Sequence, residues 1–166
     1  MDMVVRGQRG YTLFELLVTM GLIGIVAAVG LPVMSEAIIR NRVWTGSESI
    51  GTQVRQARLL AITHNTRFRV RFNCPAADQV RILVVTGDST IDDAADRCSQ
   101  QQTYDSGIVP MPSGVTFGAV PTLEVNGRGV YSAISGSVPL TIGVSYGAST
   151  RSLTVNSTGQ ITFDTY

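Results

Sequence analysis

The chain has 166 residues, enough for one folded domain with an accessory segment and too few for two full-sized domains. Its 13 basic residues, all arginine, stand against 12 acidic ones, and the formal charge of +1 excludes a global field that would draw in nucleic acid or an acidic membrane. A single histidine, with no nucleophile elbow, phosphate-binding glycine loop or His/Cys metal set, leaves little material for catalysis, so the sequence predicts a nonenzymatic protein without cofactor or metal.

In chain order, the first element is an apolar segment. Leu16 to Met34 are 19 residues without a charge. As a helix at ~1.5 Å per residue they extend ~28 Å, close to the hydrocarbon thickness of a bilayer. Two readings stand side by side on composition. One is a single membrane helix; the other is a cleaved secretory signal, with basic Arg6 and Arg9, the apolar stretch, and Ala28-Val29-Gly30 as a small-x-small cleavage site. Glu15 bears on the choice. At the centre of a membrane helix a carboxylate costs on the order of 3 kcal/mol, and at the rim less. In the first helical turn the macrodipole favours it.

Gly10-Tyr11-Thr12-Leu13-Phe14-Glu15, followed by the apolar run, resembles the class III prepilin signature of type IV pilins and type II secretion pseudopilins. The resemblance implies that a dedicated prepilin peptidase cuts after Gly10 on the cytoplasmic side and methylates the new N-terminus, Tyr11. The apolar segment is retained. Glu15 and Pro32 fall where the family pattern has glutamate and proline, and Tyr11 replaces the usual phenylalanine or methionine. The implied organisation is a leader at 1–10, a transmembrane and filament-core helix at 11–34, and a periplasmic domain at 35–166. In that setting Glu15 is an assembly residue, neutralised by the methylated amine of a neighbouring subunit's Tyr11. Inner-membrane lipid surrounds the helix before assembly, and other pilins or pseudopilins surround it afterwards.

Gly21, Gly24, Gly30 and Pro32 weaken the helix, so Gly24–Pro32 is expected to loosen or kink, although small residues also serve close packing in membrane helices. Beyond Pro32, Ile39, Val43, Ile50, Val54, Ala57 and Ala61 continue a three-and-four spacing that predicts one buried stripe, which Gly46 and Gly51 weaken without ending. Arg40, Arg42, Arg55 and Arg58 lie off the stripe. One helix from about Thr12 to His64 is expected, ending at Asn65-Thr66, with His64 as a capping or surface residue.

The period then changes to two. Phe68, Val70 and Phe72 alternate with Arg67, Arg69 and Arg71, predicting a strand with one covered and one wet face. A second strand is expected at Val80–Val85. Asp88 to Asp96 reads as an acidic surface loop, with Asp93 and Arg97 pairing weakly and with carboxylates for calcium as the lesser reading. Further strands are expected near Val115–Phe117, Thr122–Val125, Val138–Tyr146, Ser152–Val155 and Gln160–Phe163, the last two forming a hairpin turned by Asn156-Ser157-Thr158-Gly159. Cys74 and Cys98 lack metal-site spacing and are expected to form a disulfide closing a loop of ~25 residues, worth roughly 3.5 kcal/mol and placing the domain in an oxidising compartment.

A long helix followed only by strands, with Gln53 to Ile62 and Leu153 to Gly159, resembles the GspH/FimT branch of minor pilins and pseudopilins. The expected fold is therefore α+β and pilin-like, with an antiparallel sheet or small sandwich behind the helix. The expected function is that of a structural subunit of a type II secretion pseudopilus or a type IV pilus. The alternative is a DNA- or surface-binding tip subunit, for which the row Arg67, Arg69, Arg71 with Arg55 and Arg58 is the candidate phosphate contact. DNA-binding members of the branch carry Gly-Arg-x-Arg in the final hairpin, whereas this chain has Gly159-Gln160-Ile161-Thr162 there, and Arg128, in Asn126-Gly127-Arg128-Gly129, is an isolated turn cation.

Overall fold

The computed structural model of the chain describes residues 10–164, apart from the side chains of Leu31 and Pro32. Met1 to Arg9, most of the expected leader and both of its arginines, lie outside the described residues, as do Thr165 and Tyr166. The chain separates into two compact units, one through Ile38 and one from Ile39 onward.

The elements follow the expected order. Helix α1 spans Leu13–His64, continuous through Gly24 to Pro32, where loosening was expected. It is followed by β1 (Phe68–Phe72), β2 (Gln79–Val84), the short α2 (Ser89–Asp92), β3 (Val109–Pro110), β4 (Thr116–Phe117), β5 (Leu123–Val125), β6 (Tyr131–Ala133), β7 (Leu140–Tyr146), β8 (Ser149–Val155) and β9 (Ile161–Phe163). They form two antiparallel sheets, a five-stranded one in the order β3-β2-β1-β5-β6 and a four-stranded one in the order β4-β7-β8-β9. The expected final hairpin is β8–β9, with Val155 opposite Ile161 and Gly159 at a φ of 78° closing its turn. Two short strands, β3 and β6, were not expected.

In the second unit, α1 buries Val43, Ser47, Ile50, Val54, Ala57 and Ala61, a strict alternation of four and three that faces both sheets. Ile39, expected on this stripe, is only half-buried. Phe68, Val70, Ile82, Leu123, Val125, Ile142, Val144, Leu153 and Val155 meet that stripe from the sheets. Gly46 and Gly51 have a packing reason: a Cβ on Gly46 would lie 2.9 Å from Val115 Cγ1, and one on Gly51 3.2 Å from Phe163 Cζ. Glycine lets the helix come close to the sheet there, which outweighs its ~1 kcal/mol helix penalty. Tyr131 reaches from β6 to donate its hydroxyl to the Val54 carbonyl, and burial pushes its phenol well above the ordinary value. Tyr131→Phe keeps the packing and loses the bond, so it should lower unfolding stability by about 1 kcal/mol in a denaturant titration, with the far-UV spectrum unchanged.

The outer face of β1 and β2 is not the wet surface the alternation suggested. Residues 85–108 fold back over it, and in β2 every residue from Val80 to Val84 is buried. Arg97 is 1% exposed and makes a two-bonded ion pair with Asp105, Nη1 to Oδ2 at 2.7 Å and Nη2 to Oδ1 at 2.8 Å, while Nη2 also donates to the Val84 carbonyl at 3.0 Å. The expected Asp93–Arg97 pair does not form: Asp93 instead accepts from Arg69 Nη1 at 2.7 Å. The neighbours in sequence are drawn to different partners because Arg97 points beneath the loop and Asp93 out of it. Cys74 and Cys98 are joined, S–S 2.10 Å, tying the end of β1 to the same segment.

Burial alone would raise the pKa of Asp105, but the Arg97 guanidinium and the N–H groups of Gln102 and Val84 outweigh it and hold the carboxyl below its ordinary value. Asp92 is likewise opposed by burial and held low by Thr86, Gly87 and Arg69. A depressed folded pKa contributes stability that is complete above the unfolded value of ~3.9 and is lost as pH falls through the folded one. Thermal melts should therefore show little dependence on these two groups from neutral pH down to about pH 4, and a falling midpoint below it.

Candidate functional site: the apolar N-terminal segment

Thr12 precedes the first helical residue and accepts the Glu15 N–H on its Oγ1 at 3.2 Å, while Leu16 N–H reaches the Thr12 carbonyl at 3.2 Å. Thr12 is thus the N-cap, and Thr12-Leu13-Phe14-Glu15 has the Ser/Thr-x-x-Glu spacing of a capping box. That role of Thr12 was not among the expectations, although the spacing alone signals it. Among the described residues the Glu15 carboxylate has no hydrogen-bond or ion-pair partner, and the residue is exposed in the first turn.

Around it the surface is apolar. Tyr11, Leu13 and Phe14 are 82, 79 and 75% exposed, and Leu17, Met20, Ile23, Val26 and Val29 continue the pattern down the helix. The most apolar 18-residue window has a mean hydropathy of 2.4 and none of it is buried, so α1 is long and apolar enough to cross a membrane. Thr19, a polar side chain within it, returns its hydroxyl to the Leu16 carbonyl at 2.9 Å. An exposed surface of this composition is unstable in water and requires a lipid or protein covering.

Residues 5–31 match the family model described as the prokaryotic N-terminal methylation motif. The fold has known counterparts. The type IV minor pilin FimU of Pseudomonas aeruginosa superposes with a TM-score of 0.54 at 15% identity, over 76% of this chain and 90% of that one. The minor pseudopilin EpsH of the Vibrio cholerae Type 2 Secretion System superposes with a TM-score of 0.50 at 15% identity, over 74% of this chain and 95% of that one. The chain thus joins a prokaryotic N-terminal methylation motif to a pilin-like fold. No curated protein sequence matches it.

The pilin-like domain engages its arginine row with its own groups. Arg67 Nη1 is 3.1 Å from Glu124 Oε1, and Arg69 Nε is 3.0 Å from Glu124 Oε2 in addition to its bond with Asp93. Arg71 donates to the Asp92 carbonyl at 3.4 Å. Arg67, Arg69 and Arg71 of the candidate phosphate contact thus face the chain's own acidic loop and β5, whereas Arg55 and Arg58 lie exposed on α1. The loop's carboxylates are dispersed as well: Asp92 caps Thr86 and Gly87, Asp88 accepts from Thr90, Asp93 pairs with Arg69, and Asp96 accepts from Gln100. Among the described residues no three His, Cys, Asp or Glu side chains gather as a metal set. His64 is exposed at the end of α1, its ring centroid 4.3 Å from that of Tyr104.

Proposed function

We propose that this pilin-like chain is a minor pilin or pseudopilin, a structural subunit held in the bacterial inner membrane by α1 and then moved into a pilus or pseudopilus. The observation that carries the reading is the conjunction, within one segment, of the methylation motif and a fully exposed apolar helix whose first turn holds a carboxylate. A helix without a buried residue over its apolar window serves no fold of its own. Its natural coverings are lipid before assembly and the helices of other subunits after it.

In this reading a prepilin peptidase cuts after Gly10 and methylates Tyr11, the segment 11–34 becomes part of the filament core, and residues 35–166 occupy the periplasm. Glu15 sets axial register: surrounded by apolar side chains it is tolerable only where a neighbouring subunit's Tyr11 amine neutralises it. Pro32, the second assembly position, lies at the end of the most apolar part of the helix, which runs through it unbroken.

Gly10→Val tests the processing step. A Cβ at position 10 meets nothing within 4 Å, so the substitution leaves the fold alone. Expressed in a host with a complete pilus or secretion system, the wild type should be shortened and recovered in sheared filaments. The variant should stay at precursor length in the membrane fraction and be absent from filaments. Normal shortening and filament recovery of the variant would refute the assignment of the cleavage point.

A further inference from the structure

Beneath the loop that covers β1 and β2, Arg71 and Arg81 stand directly opposite each other across the strand pair. Like charges in register destabilise a ladder unless an anion lies between or above them. Arg69 has Glu124 and Asp93, and Arg97 has Asp105, but Arg71 and Arg81 have no carboxylate partner among the described residues. Both address Cys98. Arg71 Nη1 lies 3.9 Å from its Sγ, and Arg81 Nη1 donates to its carbonyl at 2.6 Å, continuing to the Gln100 carbonyl at 2.8 Å. Asp92 turns its backbone carbonyl toward Arg71 and its carboxylate away, onto Thr86 and Gly87. The other charged groups around the site are Arg69 and Asp93, bonded to each other, and the Arg97–Asp105 pair. The two cysteines differ in exposure as well: Cys74 is 0% exposed, whereas Cys98 is only half-buried.

We infer that Cys98 is the reactive sulfur of the disulfide, the point at which an external disulfide donor, a small disulfide or an oxidoreductase of the dithiol–disulfide class, exchanges with this domain, and that Arg71 holds it as thiolate. In the reduced protein the Cys98 thiolate attacks one sulfur of the donor RS–SR. The donor S–S bond breaks, one RS⁻ leaves with the electron pair, and Cys98–S–SR forms. The Cys74 thiolate then attacks the Cys98 sulfur, closing Cys74–Cys98 and releasing a second RS⁻. The two cysteines are oxidised, the donor is reduced, and the two thiol protons end on the two released RS groups. By the same path in reverse, an external reductant enters at Cys98 and Cys74 leaves. A cationic neighbour raises the thiolate fraction at neutral pH, which is what makes one cysteine of a pair the attacking group.

The test uses the full chain in detergent. Reduced wild type is exposed briefly to oxidised glutathione, quenched with acid, and the mixed disulfide located by peptide mass mapping; it should sit on Cys98. In the Cys74→Ser background, iodoacetamide alkylation of Cys98 should show its midpoint below the ordinary thiol value of ~8.5. Adding Arg71→Gln should slow alkylation at neutral pH by up to about tenfold and move the midpoint upward, and Arg71→Lys should largely restore the parent profile. Each variant is melted in parallel, and if Cys74→Ser loses its cooperative transition the wild-type mapping decides alone. A mixed disulfide on Cys74, or a pH profile that Arg71→Gln leaves in place in a folded protein, would overturn the inference.

Discussion

Glu15→Ala should insert into the membrane at the wild-type level and be recovered from filaments at least about tenfold less. Insertion is set by the apolar run that follows, whose exposed side chains the substitution does not touch. In the proposed assembly, incorporation is set by what a neighbouring subunit's Tyr11 amine finds when it arrives. With the carboxylate gone that ammonium is the unpaired charge, and removing one partner of a desolvated pair costs about 3–5 kcal/mol, far more than the 1.4 kcal/mol that a tenfold loss requires. Glu15→Gln separates charge from capping. Glutamine preserves the Thr-x-x-Glu/Gln capping spacing and lacks the charge, so it should fail in assembly almost as alanine does. Thr12→Ala removes the hydroxyl that accepts the Glu15 N–H, and should cost about 1 kcal/mol of helix stability while leaving assembly nearly intact. Filament recovery is read by immunoblot of sheared material, against membrane-fraction abundance as the control. Wild-type recovery of Glu15→Gln with failure of Thr12→Ala would show that the carboxylate acts on the helix end alone.

The second large effect belongs to Arg97. Arg97→Ala strands the Asp105 carboxylate, which has no exposed side-chain surface, without its counter-charge. The loss should be about 3–5 kcal/mol, a fall in melting midpoint on the order of 10 °C for a domain of this size. The backbone N–H groups of Val84 and Gln102 still donate to Asp105, and they keep the loss from growing larger. Replacing both partners by apolar residues, Arg97→Met with Asp105→Leu, should recover much of the stability, because it removes the stranded charge along with the pair. Calorimetry of the full chain in detergent measures both. A loss below about 1 kcal/mol for Arg97→Ala would mean that water reaches the pair and screens it.

The helix and the strand register around Phe68, Val70 and Phe72 were legible because each depends on local periodicity. A three-and-four spacing over Val43 to Ala61 has one way to bury itself, and so has alternation over β1. The short strands β3 and β6 were not legible. Val109–Pro110 pairs with Gln79 and Val80, far back in sequence, and Tyr131–Ala133 is defined by its register with β5. Two or three residues carry no period of their own. The segment after β2 misled for a related reason: its polar composition reads as solvated, yet Arg97 and Asp92 within it, and Arg81 of β2 beneath it, are buried because Arg97 bonds to Asp105 and the Val84 carbonyl, Asp92 to the N–H groups of Thr86 and Gly87, and Arg81 to the carbonyls of Cys98 and Gln100. Composition cannot tell a polar residue facing water from one facing a partner. At the N-terminus the motif was read directly, since Gly10, Tyr11 and Glu15 are consecutive or nearly so. Thr12 was passed over, although its cap follows from the same six residues.

The proposed function requires retention of the apolar segment after processing at one bond. Protein extracted from membranes of a host with a prepilin peptidase, analysed by intact mass and N-terminal sequencing, measures this directly. The expected species begins at Tyr11, bears one N-methyl group and keeps α1 whole. A soluble periplasmic species beginning near Leu31, or an unprocessed chain still beginning at Met1, would contradict it.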